Sequence, residues 1–174
     1  RTAHRNDPDF TIKEFRRLGA PYEEPNFHRA IDDDRSVGQN YQRLVQKTMA
    51  GVYSEANDGK TVKQLRTELI GKIRASMRNV FEDLVLNDIS DPLEDGTFTF
   101  QKGAVSAFRY KNLSGGEKAA FDLLLDVVLK LEYYPQALFF IEEPELHMHT
   151  ELQGRLVHEL YRLIPDGAQL WITT

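Results

Sequence analysis

The stretch from Asn112 to Glu145 reads NLSGGEKAAFDLLLDVVLKLEYYPQALFFIEEPE. It opens with a glycine turn and continues into an almost entirely apolar segment, Ala119 to Leu131, and then into the apolar run Ala137 to Ile141. The first segment predicts a helix inside the protein, because a helix that is apolar all round must be covered on most sides. The second predicts a buried strand. Together they indicate an α/β protein in which a glycine turn is held beside a sheet.

Further elements are predicted on both sides of this stretch. Helical spacing of apolar residues predicts a helix from Thr150 to Ile164, and Pro165-Asp166-Gly167 predicts a turn into a strand, Gln169 to Thr173. A strand, a helix and a strand joined by short connections form a βαβ unit, whose strands are parallel. Upstream, two alternating runs (97–100 and 107–110) flank Lys102-Gly103 and predict a β-hairpin.

The N-terminal half is predicted to be mainly helical. Apolar residues recur at helical spacing over residues 36–53 and again over residues 61–81, where Thr61 is the expected cap, so the two helices form a hairpin or arm. A short helix is expected from Thr11 to Leu18. The predicted division is therefore an irregular connecting segment (1–35), a helical arm (36–90) and an α/β lobe (91–174).

Composition restricts the class of protein. The chain has 174 residues, 41% of them hydrophobic and 28% charged, which is typical of a globular domain with its own core. No apolar run approaches the roughly 20 residues needed to span a bilayer, so no membrane association is expected. With no cysteine the chain has neither disulfides nor thiolate metal sites, and we expect a cytoplasmic protein. The absence of an initiating methionine and the abrupt final strand suggest a piece of a longer protein.

The glycine turn has a structural and a functional interpretation. Ser114 and Glu117 have the spacing of a capping box, in which the serine side chain and the glutamate side chain each bond the backbone N–H of the other. In addition, Gly115 and Gly116 lack a Cβ at the positive end of a helix, so a phosphate can approach the unpaired N–H groups there. The tetrapeptide alone predicts a helix cap, and the motifs around it decide whether the cap also binds phosphate.

The acids after the apolar run are candidate metal and catalytic groups. Glu142 and Glu143 follow five apolar residues, and ligands of parallel sheets bind beyond the carboxyl ends of the strands. Neighbouring carboxylates repel each other, and a divalent cation is their natural partner, with one acid holding it and the other taking a proton from water. Glu145, His147 and His149 extend this acidic and imidazole cluster, although loop histidines more often form hydrogen bonds than a zinc site.

The triplet Gly59-Lys60-Thr61 is not interpreted as a nucleotide site. The phosphate-binding P-loop reads G-x-x-x-x-G-K-S/T, and Ser54 occupies the position of its first glycine. No apolar strand precedes the triplet either. A loop glycine, an exposed lysine and a helix cap are the simpler interpretation.

Two motifs resemble those of a known family. Leu113-Ser114-Gly115-Gly116-Glu117 resembles the signature motif of ABC-type ATPases, and Phe139-Phe140-Ile141-Glu142-Glu143-Pro144 resembles their Walker B motif. The run Glu143-Pro144-Glu145-Leu146-His147-Met148-His149 is similar to that of the SMC, RecF and OLD-like branch, the ATPases of DNA repair and phage defence. The resemblance covers residues 98–174 and implies a P-loop NTPase-like fold, an ABC ATPase head with a parallel sheet and a helical arm.

The resemblance implies a role for each matching position. Ser114, Gly115 and Gly116, with the adjoining Glu117 and Lys118, would contact the γ-phosphate of ATP held by the opposite protomer of a head-to-tail homodimer. Glu142 would hold Mg²⁺, and Glu143 would be the catalytic base. Residues 144–149, which include Glu145, His147 and His149, would form the D-loop at the dimer interface.

Departures from the family pattern limit what this segment does alone. The sequence contains no Walker A motif and no assignable Q-loop, and it stops before the switch histidine; glutamate replaces the usual aspartate at 142, and histidine the usual aspartate at 149. We therefore expect an ATPase whose isolated fragment is inactive and whose arm contacts DNA or an effector nuclease. Two alternatives remain: a metal-dependent nuclease centred on Glu142, Glu143, Glu145 and His147, or a scaffold with a vestigial ATP site.

Overall fold

The computed structural model describes residues 8, 10–14, 18, 35–144 and 148–173. Five α-helices and five strands occur in this part of the chain, with one 3-10 turn between α1 and α2 (Glu55–Asn57) and another between β3 and α4. In order they are α1 (Arg35–Val52), α2 (Val62–Leu69), α3 (Gly71–Val80), β1 (Leu84–Ile89), β2 (Phe98–Lys102), β3 (Val105–Arg109), the 3-10 turn (Tyr110–Asn112), α4 (Gly115–Tyr133), β4 (Leu138–Glu142), α5 (Thr150–Leu163) and β5 (Gln169–Thr173). The mixed α/β class expected from the sequence is confirmed.

Strands β1, β2 and β3 form an antiparallel sheet in that order. The β2–β3 hairpin turns at Gly103, whose φ of +54° lies in the left-handed region that glycine adopts without strain. The predicted hairpin is therefore confirmed. Strand β1 was not predicted: its buried positions, Leu84, Leu86 and Ile89, lie across a β-bulge and do not alternate strictly.

Strands β4 and β5 form a separate parallel pair, as the βαβ pattern predicts. Leu138 pairs with Gln169, Phe140 with Trp171, and Glu142 with Thr173. Alternation places Phe139 and Ile141 against the core, while Leu138, Phe140 and Trp171 are 55–59% exposed on the opposite face.

Helix α4 lies at the centre of the core. Phe121, near its start, contacts the rings of Phe98 and Phe100 on β2, with centroids 4.8 and 5.1 Å apart. Residues of α1 and α3 that are completely buried belong to the same cluster, among them Tyr41, Leu44, Ile73 and Met77. The first turns of α4 are thus held between the antiparallel sheet and the N-terminal helices.

Three N-terminal features differ from the sequence expectations. Residues 61–81 form two helices, because the chain leaves helical geometry at Ile70 (ψ −3°) just before Gly71, a poor helix former. Thr11 to Glu14 are not helical; the remaining residues of that predicted helix, apart from Leu18, lie outside the described part. The expected boundary between residues 90 and 91 falls inside the β1–β2 sheet, so α1, α3 and β1 share the core of α4.

Candidate functional site

A complete capping box closes the N-terminus of α4. The Ser114 backbone N–H donates to Glu117 Oε2 at 2.7 Å, and the Glu117 backbone N–H donates to Ser114 Oγ at 3.3 Å. The structural interpretation of the glycine turn is therefore confirmed. The Ser114 hydroxyl also hydrogen-bonds the Glu117 carboxylate, so the serine side chain is part of the cap in both directions.

The same helix end opens to solvent. Ser114 and Gly115 are exposed, and a Cβ built on Gly115 would meet no atom within 4 Å in the described structure. Gly115 and Gly116 are the first two residues of α4, where backbone N–H groups have no carbonyl within the helix to bond. The positive end of the helix dipole and the first two N–H groups of α4 therefore lie at the same open helix end.

A lysine from the hairpin supports this capping box. Lys102 Nζ lies 2.6 Å from Glu117 Oε1, while the other carboxylate oxygen bonds Ser114. Burial alone would raise the pKa of Glu117, but the hydrogen bonds from Lys102 and Ser114 outweigh it and lower the pKa below its ordinary value. The sequence interpretation missed Lys102. The signal was present, because Lys102 shares the strand parity of Phe98 and Phe100, whose side chains contact α4.

The 3-10 turn before Ser114 is also tied to α4. The Tyr110 hydroxyl donates to the Asp122 carboxylate, with 2.9 Å to each oxygen, and both residues are buried. Lys118 Nζ donates to the backbone carbonyl of Lys111 at 3.1 Å and lies 5.5 Å from the centroid of the Tyr110 ring. Lys118, expected beside phosphate, thus also braces the chain that enters the glycine turn.

The two predicted strand-end acids lie where expected. Glu142 is the last residue of β4, Glu143 follows it, and both side chains are exposed. Glu143 has a φ of +44°, and it alone among the described non-glycine residues has a positive φ. Its backbone N–H donates to the carbonyl of Thr173 at 2.9 Å, which holds the strained residue at the carboxyl end of the parallel pair. Such strain clusters at functional sites.

The rest of the predicted cluster is only partly described. Glu145 and His147 lie outside the described residues, so the structure gives no geometry for the nuclease alternative. His149 is exposed at the N-cap position of α5, and its side chain makes no capping bond. Within the described ranges no three acidic, histidine or cysteine side chains group as a metal site.

The triplet at residues 59–61 has the structural role expected of it. Thr61 forms a capping box with Gln64 at the start of α2. Lys60 Nζ lies 2.8 Å from Glu68 Oε2 in an exposed ion pair. Both side-chain bonds are local, as expected for a loop lysine and a helix cap.

The residues present fit part of a nucleotide site. The open end of α4 offers donors to a phosphate, and the carboxylates at 142 and 143 are oxygen ligands of the kind that Mg²⁺ prefers. No hydrogen bond or ion pair links the Ser114 turn to these two acids in the described structure. The open end of α4 and the acids at the end of β4 are therefore two separate candidate half-sites.

Comparison with known proteins identifies the family. The family described as “AAA domain, putative AbiEii toxin, Type IV TA system” matches residues 8–174. Among solved structures, the chain is similar to the crystal structure of the Smc head domain with an extended coiled coil bound to the C-terminal domain of ScpA, from Pyrococcus furiosus, with a TM-score of 0.40 and 16% identity. The match covers 80% of this chain and 44% of that one, so the chain spans less than half of its length. No curated protein matches the chain.

The family match agrees with the mixed α/β architecture of the described chain. A parallel strand pair ending in carboxylates, flanked by helices, fits the P-loop NTPase-like fold expected from the sequence. Described helices include none that is both long and apolar enough to cross a bilayer. Because the match extends over nearly the whole chain, the protein belongs to this AAA-domain family.

Proposed function

We propose that this chain is the signature-bearing lobe of an ATPase head of the SMC, RecF and OLD-like branch, and that two heads associate head to tail around ATP. Ser114, Gly115 and Gly116 contact the γ-phosphate of the nucleotide held by the opposite protomer, and Glu143 acts on the water that attacks it. ATP binding closes the dimer and hydrolysis opens it, so the head works as a switch.

The open helix end at Ser114 is the observation that carries this function. A capped N-terminus that is exposed, free of side-chain bulk and rich in N–H donors is built to meet an anion from outside the protomer. Phosphoryl transfer requires mainly positioning and stabilisation of charge, and such donors supply both.

The strand-end acids complete the proposed chemistry. Glu142 would hold Mg²⁺, which neutralises developing charge on the phosphates when it is bound. Glu143 orients the attacking water and accepts its proton, and its exposed carboxylate directly follows the end of β4.

The biological setting is DNA repair or anti-phage defence. The family description names a toxin and a TA system, and this wording favours defence. The proposed partner is DNA or an effector nuclease, and the arm helices are the proposed place where it binds.

Substitution of Glu143 in the full-length protein tests the function. Glu143→Gln should abolish ATP turnover and trap ATP-bound dimers, measured by phosphate release and by light scattering. Glu94→Gln removes an equally exposed carboxylate from the β1–β2 loop and should leave both unchanged. Turnover at the parent rate in Glu143→Gln would show that the base is assigned wrongly.

A second substitution tests the opposing half-site. Ser114→Arg should prevent ATP-dependent dimerisation, because a long cationic side chain fills the space left for the phosphate. ATP-independent cleavage of nucleic acid with Mn²⁺, lost in Glu142→Gln, would instead support the nuclease alternative. Unaltered ATP affinity and unaltered dimerisation after Ser114→Arg would support the vestigial scaffold.

A further inference from the structure

We propose that Lys102 is a positioning residue for the phosphate-contacting turn: it holds the Glu117 carboxylate in the capping box and neutralises that charge beside the bound phosphate. This inference rests on the proposed function of Ser114. It adds a residue from the β2–β3 hairpin that neither ATPase motif contains.

The geometry makes Lys102 the outer member of a three-residue chain. Lys102 Nζ lies 2.6 Å from Glu117 Oε1, and Glu117 Oε2 accepts from the Ser114 backbone N–H at 2.7 Å. The Glu117 side chain is only 13% exposed, and that of Lys102 is 31% exposed. The two carboxylate oxygens are therefore each committed to a different partner, which restricts Glu117 to one orientation.

The hairpin delivers Lys102 to this position by strand parity. Phe98 and Phe100 of β2 pack against Phe121 of α4, and Lys102 follows on the same side at the end of the strand. The Lys102 ammonium group also lies 5.3 Å from the centroid of the Phe108 ring on β3. Packing of the hairpin on α4 therefore places the Lys102 ammonium group beside the Glu117 carboxylate.

Charge explains why a lysine is needed here. Glu117 lies in the same first turn of α4 as the N–H groups of Gly115 and Gly116, where the phosphate of the proposed function binds. An unpaired carboxylate at that distance would repel the phosphate, and its partial burial would weaken the screening by water. The ammonium group of Lys102 removes this repulsion and keeps the capping bonds in place.

A charge-rescue series in the full-length protein separates this role from a merely structural one. Lys102→Met keeps the apolar stem and removes the charge, so it should raise the ATP concentration for half-maximal dimerisation about tenfold. Lys102→Arg should stay close to the parent. The double variant Lys102→Met/Glu117→Gln should recover most of the loss, because glutamine makes both capping bonds without a charge.

A second lysine that pairs with a glutamate, Lys60, provides the control for Lys102. Lys60→Met removes one partner of the exposed Lys60–Glu68 pair and should leave dimerisation unchanged. Parent-like dimerisation in Lys102→Met, or a double variant as weak as Lys102→Met, would overturn the role of Lys102 and leave the proposed function standing. A parent protein that does not dimerise with ATP would overturn both.

Discussion

Glu143 combines an exposed carboxylate with a backbone conformation that L-residues avoid. Its φ of +44° brings Cβ close to the neighbouring carbonyl, a conformation that costs about 1–2 kcal/mol. The bond from its N–H to the carbonyl of Thr173 holds the residue there. The backbone conformation of Glu143 therefore lowers the stability of the fold at the position where the proposed reaction needs a carboxylate.

Replacing this residue with glycine should stabilise the fold. Glu143→Gly should raise the free energy of unfolding by about 1 kcal/mol, because glycine adopts positive φ freely. Glu142→Gly is the matched control: it lies in strand β4, where glycine should cost about 1 kcal/mol. Urea unfolding followed by circular dichroism measures both, and equal losses in the two variants would contradict the strain at Glu143.

Glu159 is a buried acid that joins α5 to α3. It accepts from Arg162 at 2.6 and 2.7 Å and from Asn79 of α3 at 2.8 Å, and it is 1% exposed. Burial raises its pKa, but these hydrogen bonds and the charge of Arg162 outweigh burial and lower the pKa below its ordinary 4.5. The sequence predicts an amphipathic α5, and this acid on its buried side was not anticipated.

The lowered pKa makes stability depend on pH in a defined direction. Glu159 stabilises the folded state above pH 4.5, its ordinary value, and this contribution is lost as the pH falls through the lower folded value. Glu159→Gln should lower the free energy of unfolding by about 2 kcal/mol at neutral pH. Below pH 4.5 the stability of this variant should fall less steeply with pH than that of the parent. Urea unfolding at a series of pH values checks this, with Glu151→Gln, an exposed acid on the same helix, expected to follow the parent curve.

The turn before β2 allows an N-terminal residue to enter the aromatic cluster of the core. Phe10 lies 5.1–5.3 Å from the rings of Tyr41, Phe98 and Tyr110, measured between centroids. A Cβ built on Gly96 would lie 2.6 Å from the Phe10 carbonyl oxygen. The absence of a side chain at residue 96 is therefore what lets this segment pack against the sheet.

Filling that space should destabilise the protein. Gly96→Ala forces the backbone of Phe10 away from the sheet and should cost about 1–3 kcal/mol. Gly154→Ala is a control within α5, where the added Cβ meets no described atom within 4 Å and should add about 1 kcal/mol through helix propensity. Thermal unfolding distinguishes them, and a neutral Gly96→Ala would show that the N-terminal segment does not pack as described.

The parallel strand pair leaves one apolar face uncovered across the described molecule. Leu138, Phe140 and Trp171 are each more than half exposed on neighbouring positions, whereas parallel sheets normally have both faces covered. A contiguous apolar surface of this kind favours association in water.

The isolated 174-residue chain should therefore bind a hydrophobic dye through this face. The double variant Leu138→Ser/Phe140→Ser should lower the fluorescence of bound anilinonaphthalene sulfonate several-fold. Leu93→Ser alters a residue that is equally exposed, at 62%, but lies in the β1–β2 loop, so it should change little. Equal dye binding by the parent and the double variant would show that the exposed face is not where the dye binds.

Several local structural features could be predicted from the sequence alone. The capping boxes at Ser114 and Thr61, the hairpin turn at Gly103, and the parallel β4–β5 pair all follow from hydrogen bonds or periodicities within a few residues. The fold class depends on these local features and could be predicted, as could the positions of Ser114 at a helix start and Glu142 at a strand end.

Contacts between segments that are distant in the sequence could be identified only from the tertiary structure. The pairing of Lys102 with Glu117, the Tyr110–Asp122 bond and the entry of Phe10 into the core depend on which faces meet and at what register. A single sequence specifies which side of each element is apolar, but many packings satisfy that pattern equally well. The contact of Lys102 with Glu117 beside the Ser114 turn could therefore be identified only from the packing of the hairpin against α4.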